Sequence, residues 1–147
     1  MLGYTKVLCP LDFDEYLTTT FLLAAALAKE SNATLYIFHV ARVPPPDMNV
    51  PLDFDPDPRW ERLARLRLEE LVHQHVQAKL RYEIRVRSGL PDLAIVREAA
   101  ELGADIIVMA THGRVGFNHL VFGSVAEHVI REAACPVLII RPTKQKS

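Results

Sequence analysis

ADIIVMATHGRVGFNHLVFGSVAEHVIREAACPVLIIR, residues 104 to 141, decides the fold. DIIVM, Asp105 to Met109, is a short apolar run with the length of a buried strand. Gly123 to Ala133 has helical composition, and PVLIIR, Pro136 to Arg141, is a second buried strand. Two strands joined through a helix run parallel, because a parallel pair requires a long crossover. The loop between the first strand and the helix carries Gly113, Gly116 and then Gly123-Ser124, so it is also the place to look for chemistry.

The same unit repeats upstream. TKVLCPL (5 to 11) is a buried strand ending at Asp12, and DFDEY opens an Ala/Leu-rich helix from Tyr16 to Glu30. ATLYIFHV (33 to 40) is β-branched and aromatic, as a central strand requires. Residues 59 to 79 place Trp60, Leu63, Ala64, Leu68, Leu71 and Val72 at helical spacing, with Glu61 and Arg65 four apart and able to pair. RYEIRVR (81 to 87) alternates strictly, which places it at a sheet edge, and Ser88-Gly89 reads as a turn. Pro91 suits the first turn of a helix that Gly103 ends. Strict strand–helix alternation gives an α/β, doubly wound, Rossmann-like domain spanning residues 1–147. The expected sheet is five-stranded and parallel, order 3-2-1-4-5, with helices on both faces.

Bulk properties narrow the function. The 147 residues are 50% hydrophobic and 24% charged with a formal charge of −1, so no basic field recruits nucleic acid or an acidic membrane. No apolar run reaches the roughly 20 residues that span a bilayer, and no secretory leader precedes the first strand, so the cytoplasm is the expected location. Cys9 and Cys135 lie in apolar runs without CxxC spacing and are expected to be buried free thiols. Residues 42 to 58, RVPPPDMNVPLDFDPDP, hold six of the ten prolines and four aspartates. Such a segment is a loop, either a mobile acidic surface or a lid.

In a sheet of this order, ligands sit beyond the strand carboxyl ends where the winding reverses. That crevice lies between Pro10, Leu11 and Asp12 and the Met109-Ala110 end of the fourth strand. A helix starting at Gly123-Ser124 offers free N–H groups and a dipole to an anion without any lysine. Asp12 can accept bonds from ribose hydroxyls, or alternatively cap the next helix. Arg114 can balance phosphate charge, or simply be solvated. His112 and His119 lack carboxylate neighbours and His73 and His75 diverge on their helix, so no metal site is expected.

Ala110-x2-Gly113-x9-Gly123-Ser124 resembles the G-x2-G-x9-G-[S/T] signature of the universal stress protein family. PLDFDEY, LYIFHV and the whole block from Ala104 to Arg141 are similar to that family as well, so the resemblance spans the chain apart from the Pro-rich loop. It implies an adenine-nucleotide site, for ATP, ADP or AMP, with or without Mg2+. Pro10, Leu11 and Asp12 would line the adenosine side, and Val40 would meet the adenine edge through its backbone. Met109 and Ala110 would lie under the ribose. Gly113, Arg114, Gly116, Gly123, Ser124 and Val125 would surround the phosphates. It further implies a homodimer through Pro136 to Arg141 and a role in stress response or signalling.

Two other readings compete. An enzyme acting on ATP lacks a Walker lysine and paired carboxylates near the loop, so any hydrolysis is expected to be slow and no catalytic residue is assigned. A member that has lost the nucleotide would work through protein contacts. Ala110 argues for it, because alanine in place of the motif's first glycine is strained by roughly 1 kcal/mol or more if φ there is positive.

Overall fold

The computed structural model describes residues 3–42, 58–76, 79–111 and 123–141. In chain order the elements are β1 (Lys6–Pro10), α1 (Leu17–Ser31), β2 (Thr34–Arg42), α2 (Pro58–His75) and β3 (Tyr82–Gly89). They continue with α3 (Pro91–Leu102), β4 (Ile106–Ala110), α4 (Ser124–Glu132) and β5 (Val137–Ile140). All strand pairs are parallel and the sheet order is β3-β2-β1-β4-β5, as the alternation requires.

Period-two alternation along the strands divides the core between two faces. Val7 and Cys9 of β1, Leu35 and Ile37 of β2 and Ile106 and Val108 of β4 pack with Phe21 of α1 and Leu68 and Leu71 of α2. Leu8, Phe38, Val40, Ile107 and Met109 point the other way, against Ile95 and Ala99 of α3 and Ala126 and Val129 of α4. Full burial of each large side chain contributes about 1.5–3 kcal/mol. Both faces of the central strands are therefore apolar, which is why they read as continuous hydrophobic runs.

Helix ends follow local chemistry. Pro91 occupies the first turn of α3, and Gly103 takes the left-handed conformation after its last turn, with φ 65°. Asn32 ends α1 the same way at φ 54°. Four details differ from the sequence expectation. β2 continues to Arg42, and Ser88-Gly89 belongs to β3, where Gly89 pairs with Arg42 at φ 148° instead of forming a turn. In α2, Trp60 and Leu63 are exposed, whereas Ala64, Leu68, Leu71 and Val72 are buried. Leu63 lies about 100° round the helix from Ala64, outside the sheet-facing arc. Glu61 and Arg65 do not pair: Ser88 Oγ donates to Glu61 Oε1 at 3.2 Å, and Arg65 Nη1 donates to the Ile84 carbonyl at 3.0 Å. Residues 43–57 of the Pro-rich loop lie outside the described residues.

Cys9 is buried, and desolvation pushes its thiol far above the usual range. Cys135 is only half-buried, correcting the expectation of two buried thiols; partial burial and then the Asp105 charge raise its pKa.

Asp105 fastens the amino end of β4 to β1. Its Oδ2 accepts from the Thr5 N–H at 2.8 Å, the Thr5 hydroxyl at 2.9 Å and the Lys6 N–H at 2.9 Å. The Thr5 and Lys6 amides, with the Thr5 hydroxyl, hold this carboxyl below its ordinary 3.8, against an opposing contribution from burial. A depressed folded pKa stabilises the fold above the unfolded value, and that stability disappears as pH falls through the folded value. Urea titrations below about pH 4 are thus expected to show a steeper loss of stability in the wild type than in Asp105→Asn. Parallel curves would contradict the assignment.

Candidate functional site

A cleft opens at the carboxyl ends of β1, β2 and β4, where the winding of the sheet reverses. Seven residues assigned from sequence meet there: Pro10, Leu11 and Asp12 from β1 and its exit, Val40 from β2, Met109 and Ala110 from β4, and Val125 from α4. Gly123 and Ser124 sit at the start of α4 without lining the cleft. Gly113, Arg114 and Gly116 lie outside the described residues, as do His112 and His119.

The walls are apolar, with Phe38, Val40, Ile95 and Met109 nearly or wholly buried. Such surfaces accept a flat, weakly polar group. Polar groups gather on the side where β1 leads into α1: Asp12, Asp14, Tyr16 and Thr20. Asp12 does not cap α1. The residue before that helix is Tyr16, and its N–H donates to Asp14 Oδ1 at 2.9 Å. Partial burial, then the neighbouring Glu15 and Asp14 carboxylates, raise the Tyr16 phenol above its ordinary 10.0, so it is a protonated donor at neutral pH. Thr20 turns its hydroxyl to the Tyr16 carbonyl at 2.8 Å.

Helix α4, which contributes Val125 to the cleft, begins at Ser124 with Gly123 before it and no side-chain cap. Its first ladder bond runs from the Glu127 N–H to the Gly123 carbonyl at 3.0 Å. The N–H groups ahead of Glu127 have no intrahelical acceptor, and the dipole there favours an anion. The cleft thus offers carboxylates that accept hydroxyl protons, and α4, which lends it Val125, begins beside it.

Ala110 is the last residue of β4 and pairs with Ile140. Among the described residues, Asn32 is the only non-glycine with positive φ, so Ala110 carries no left-handed strain. The methyl group is tolerated by an extended backbone, and its consequence is purely one of space.

Asp14, Tyr16, Leu17, Thr20, Phe38, Pro91 and Ile95 line the cleft without having been assigned from sequence. Leu17 and Thr20 are three apart on the first turns of α1, a spacing that was readable. Pro91 and Ile95 come from α3, whose approach depends on how the helix crosses the sheet.

The model of the universal stress protein family matches residues 3–141. The chain belongs to that family. Universal stress protein MJ0531 of Methanocaldococcus jannaschii is 31% identical over 150 residues, covering 97% of this chain and 85% of that protein. Universal stress protein A homolog 1 of Coxiella burnetii is 29% identical over 142 residues, covering 93% and 96%. Among solved structures, that of MJ0577, also a universal stress protein of Methanocaldococcus jannaschii, superposes with a TM-score of 0.80 at 23% identity, over 98% of this chain and all of that one. A universal stress protein in complex with cAMP superposes with a TM-score of 0.69 at 24% identity, over 95% and 98%. These overlays show that this family member has the universal stress protein fold. Among its described residues no helix is long and apolar enough to cross a membrane, and no group of three His, Cys, Asp or Glu is placed to hold a metal.

Proposed function

We propose that this universal stress protein binds an adenine nucleotide, ATP or AMP, in the cleft at the β1–β4 switch point and acts as a dimeric stress-response or signalling module in the cytoplasm. The observation that carries this is the convergence of Pro10, Leu11, Asp12, Val40, Met109, Ala110 and Val125 on one apolar cleft. The base lies against the apolar walls, the ribose hydroxyls donate to Asp12, and the phosphates face the start of α4 with Gly113, Arg114, Gly116, Gly123 and Ser124. The relative solved with cAMP supports a nucleotide as the ligand class. Any Mg2+ travels with the nucleotide phosphates.

Chemistry on the nucleotide is expected to be slow at most, since the sequence has no Walker lysine and no paired carboxylates near the Gly123-Ser124 loop. Dimerisation through the last strand is supported by the edge position of β5 among the described strands and by Leu138, which is 46% exposed there. Residues 1–147 act as one domain in this reading.

Identifying the nucleotide that co-purifies, followed by calorimetric titration with ATP and AMP, tests the reading. Gly123→Trp is expected to weaken ATP binding by roughly tenfold or more, because a side chain at the helix start blocks close approach of phosphate. Absence of bound nucleotide together with absence of measurable affinity would overturn the proposal, and rapid phosphate release would overturn the non-enzymatic part. Sedimentation of a monomer at micromolar concentration would remove the dimer.

A further inference from the structure

His39 does not line the cleft, yet it holds a segment that does. It stands between Phe38 and Val40 on β2, and strand alternation sends its side chain to the opposite face of the sheet from theirs. The ladder between β1 and β2 ends at the Pro10–Phe38 pair. Beyond it, the Leu11 N–H donates to the Phe38 carbonyl at 2.8 Å, and His39 Nδ1 lies 2.8 Å from the Leu11 carbonyl. A carbonyl only accepts, so Nδ1 carries the proton and donates. The same nitrogen is 3.9 Å from Asp12 Oδ1. The imidazole is itself clamped: the Phe13 ring packs against it at 4.6 Å between centroids, and the Arg67 guanidinium of α2 lies 3.9 Å over that ring. Side-chain exposure of His39 is only 13%, so the N–H cannot be exchanged for solvent without repacking.

We propose that His39 is a positioning residue for ligand recognition: its Nδ1–H fixes the Leu11–Asp12 exit from β1 so that the Asp12 carboxylate meets the hydroxyls of the ribose. This rests on the nucleotide reading above. Without the His39 bond, the exit keeps the Leu11 N–H bond to the Phe38 carbonyl but loses the hold on the Leu11 carbonyl, the peptide that leads directly into Asp12. A purely structural histidine would affect folding stability but not the distinction between a ribose and its deoxy analogues. A positioning histidine affects that distinction.

The test compares ATP with 2′-deoxy-ATP and 3′-deoxy-ATP on the full chain, by calorimetry, in wild type, His39→Phe, His39→Asn and His39→Gln, with thermal melts of each. Asn keeps an N–H at the δ position, whereas Gln moves it one bond outward and Phe removes it. In the wild type at least one deoxy analogue is expected to bind about tenfold more weakly than ATP, the value of a charge-assisted bond to Asp12. His39→Phe is expected to lose about tenfold in ATP affinity and to bring that ratio close to one. His39→Asn is expected to stay within about threefold of wild type. A folded His39→Phe with unchanged affinity and unchanged discrimination overturns the role of His39, as does a His39→Asn as impaired as His39→Phe. If His39→Phe does not fold, equal affinities of the Asn and Gln variants overturn it. If the wild type binds no ATP at all, the nucleotide reading itself is the one that falls.

Discussion

Arg85→Met is expected to cost about 2–3 kcal/mol of folding stability, and Arg85→Met/Glu98→Met is expected to be more stable than that single variant. Glu98 of α3 is the most deeply buried carboxylate among the described residues, with only 3% of its side chain exposed. Arg85 Nη1 donates to its Oε1 at 3.0 Å, while Arg87, which is half-exposed, approaches Oε2 at 3.6 Å. Removing Arg85 therefore leaves a charge in the interior with one distant partner. The estimate sits below the usual cost of breaking a buried pair because Arg87 remains and Arg85 is 28% exposed. Arg85 also turns toward Glu83 at 3.3 Å, and its Nε is buried without a hydrogen-bond partner, so the cluster is imperfectly satisfied. Replacing both ends by apolar groups removes the desolvation penalty along with the attraction. Urea midpoints at constant slope measure the difference. Additive losses in the double variant would show that the two residues act independently.

Ala110→Leu is expected to weaken ATP binding by roughly 10–100-fold, the equivalent of overpacking a filled site by about 1–3 kcal/mol. Ala110 lines the cleft, and an isobutyl group in place of its methyl occupies the space assigned to the ribose. The fold should tolerate the change, because the residue ends β4 with ordinary extended geometry. Ala110→Gly separates space from strain. With no positive φ to relieve, glycine is expected to lower stability by about 0.5–1 kcal/mol through backbone entropy. It should leave affinity within about threefold. Calorimetric titration with ATP reads both variants. Unaltered binding by Ala110→Leu would place the ribose elsewhere, and a tenfold gain in Ala110→Gly would mean that the motif's first glycine answers a conformational need.

Much of the architecture was legible because it depends on periodicity. Apolar runs such as VLCPL and DIIVM have the length of strands buried on both faces, and the intervening helices force parallel pairing. RYEIRVR alternates because β3 lies at the edge of the sheet. The spacing of Ala110, Gly113, Gly123 and Ser124 named the family, and the switch-point rule named the place. What failed was local. Ser88-Gly89 looked like a turn, yet the two residues extend β3, since glycine serves an extended strand end at φ 148° as readily as a turn. Glu61 and Arg65 looked like a helical pair, yet β3 supplied each with a better partner.

The sequence by itself determined the order of elements, the parallel sheet, the family and the seven assigned residues that share the cleft, because each depends on neighbours along the chain or on a fixed topological rule. Tertiary structure alone decided which side chains close that cleft from α1 and α3, that Glu98 is buried between two arginines of β3, and that His39 anchors Leu11 beside Asp12. The Arg85–Glu98 and His39–Leu11 contacts join residues 13 and 28 positions apart, and the cleft brings α3 to β1 across a far longer stretch of chain. Such contacts depend on how helices cross the sheet and which way a strand residue faces, and no periodic pattern in the chain records them.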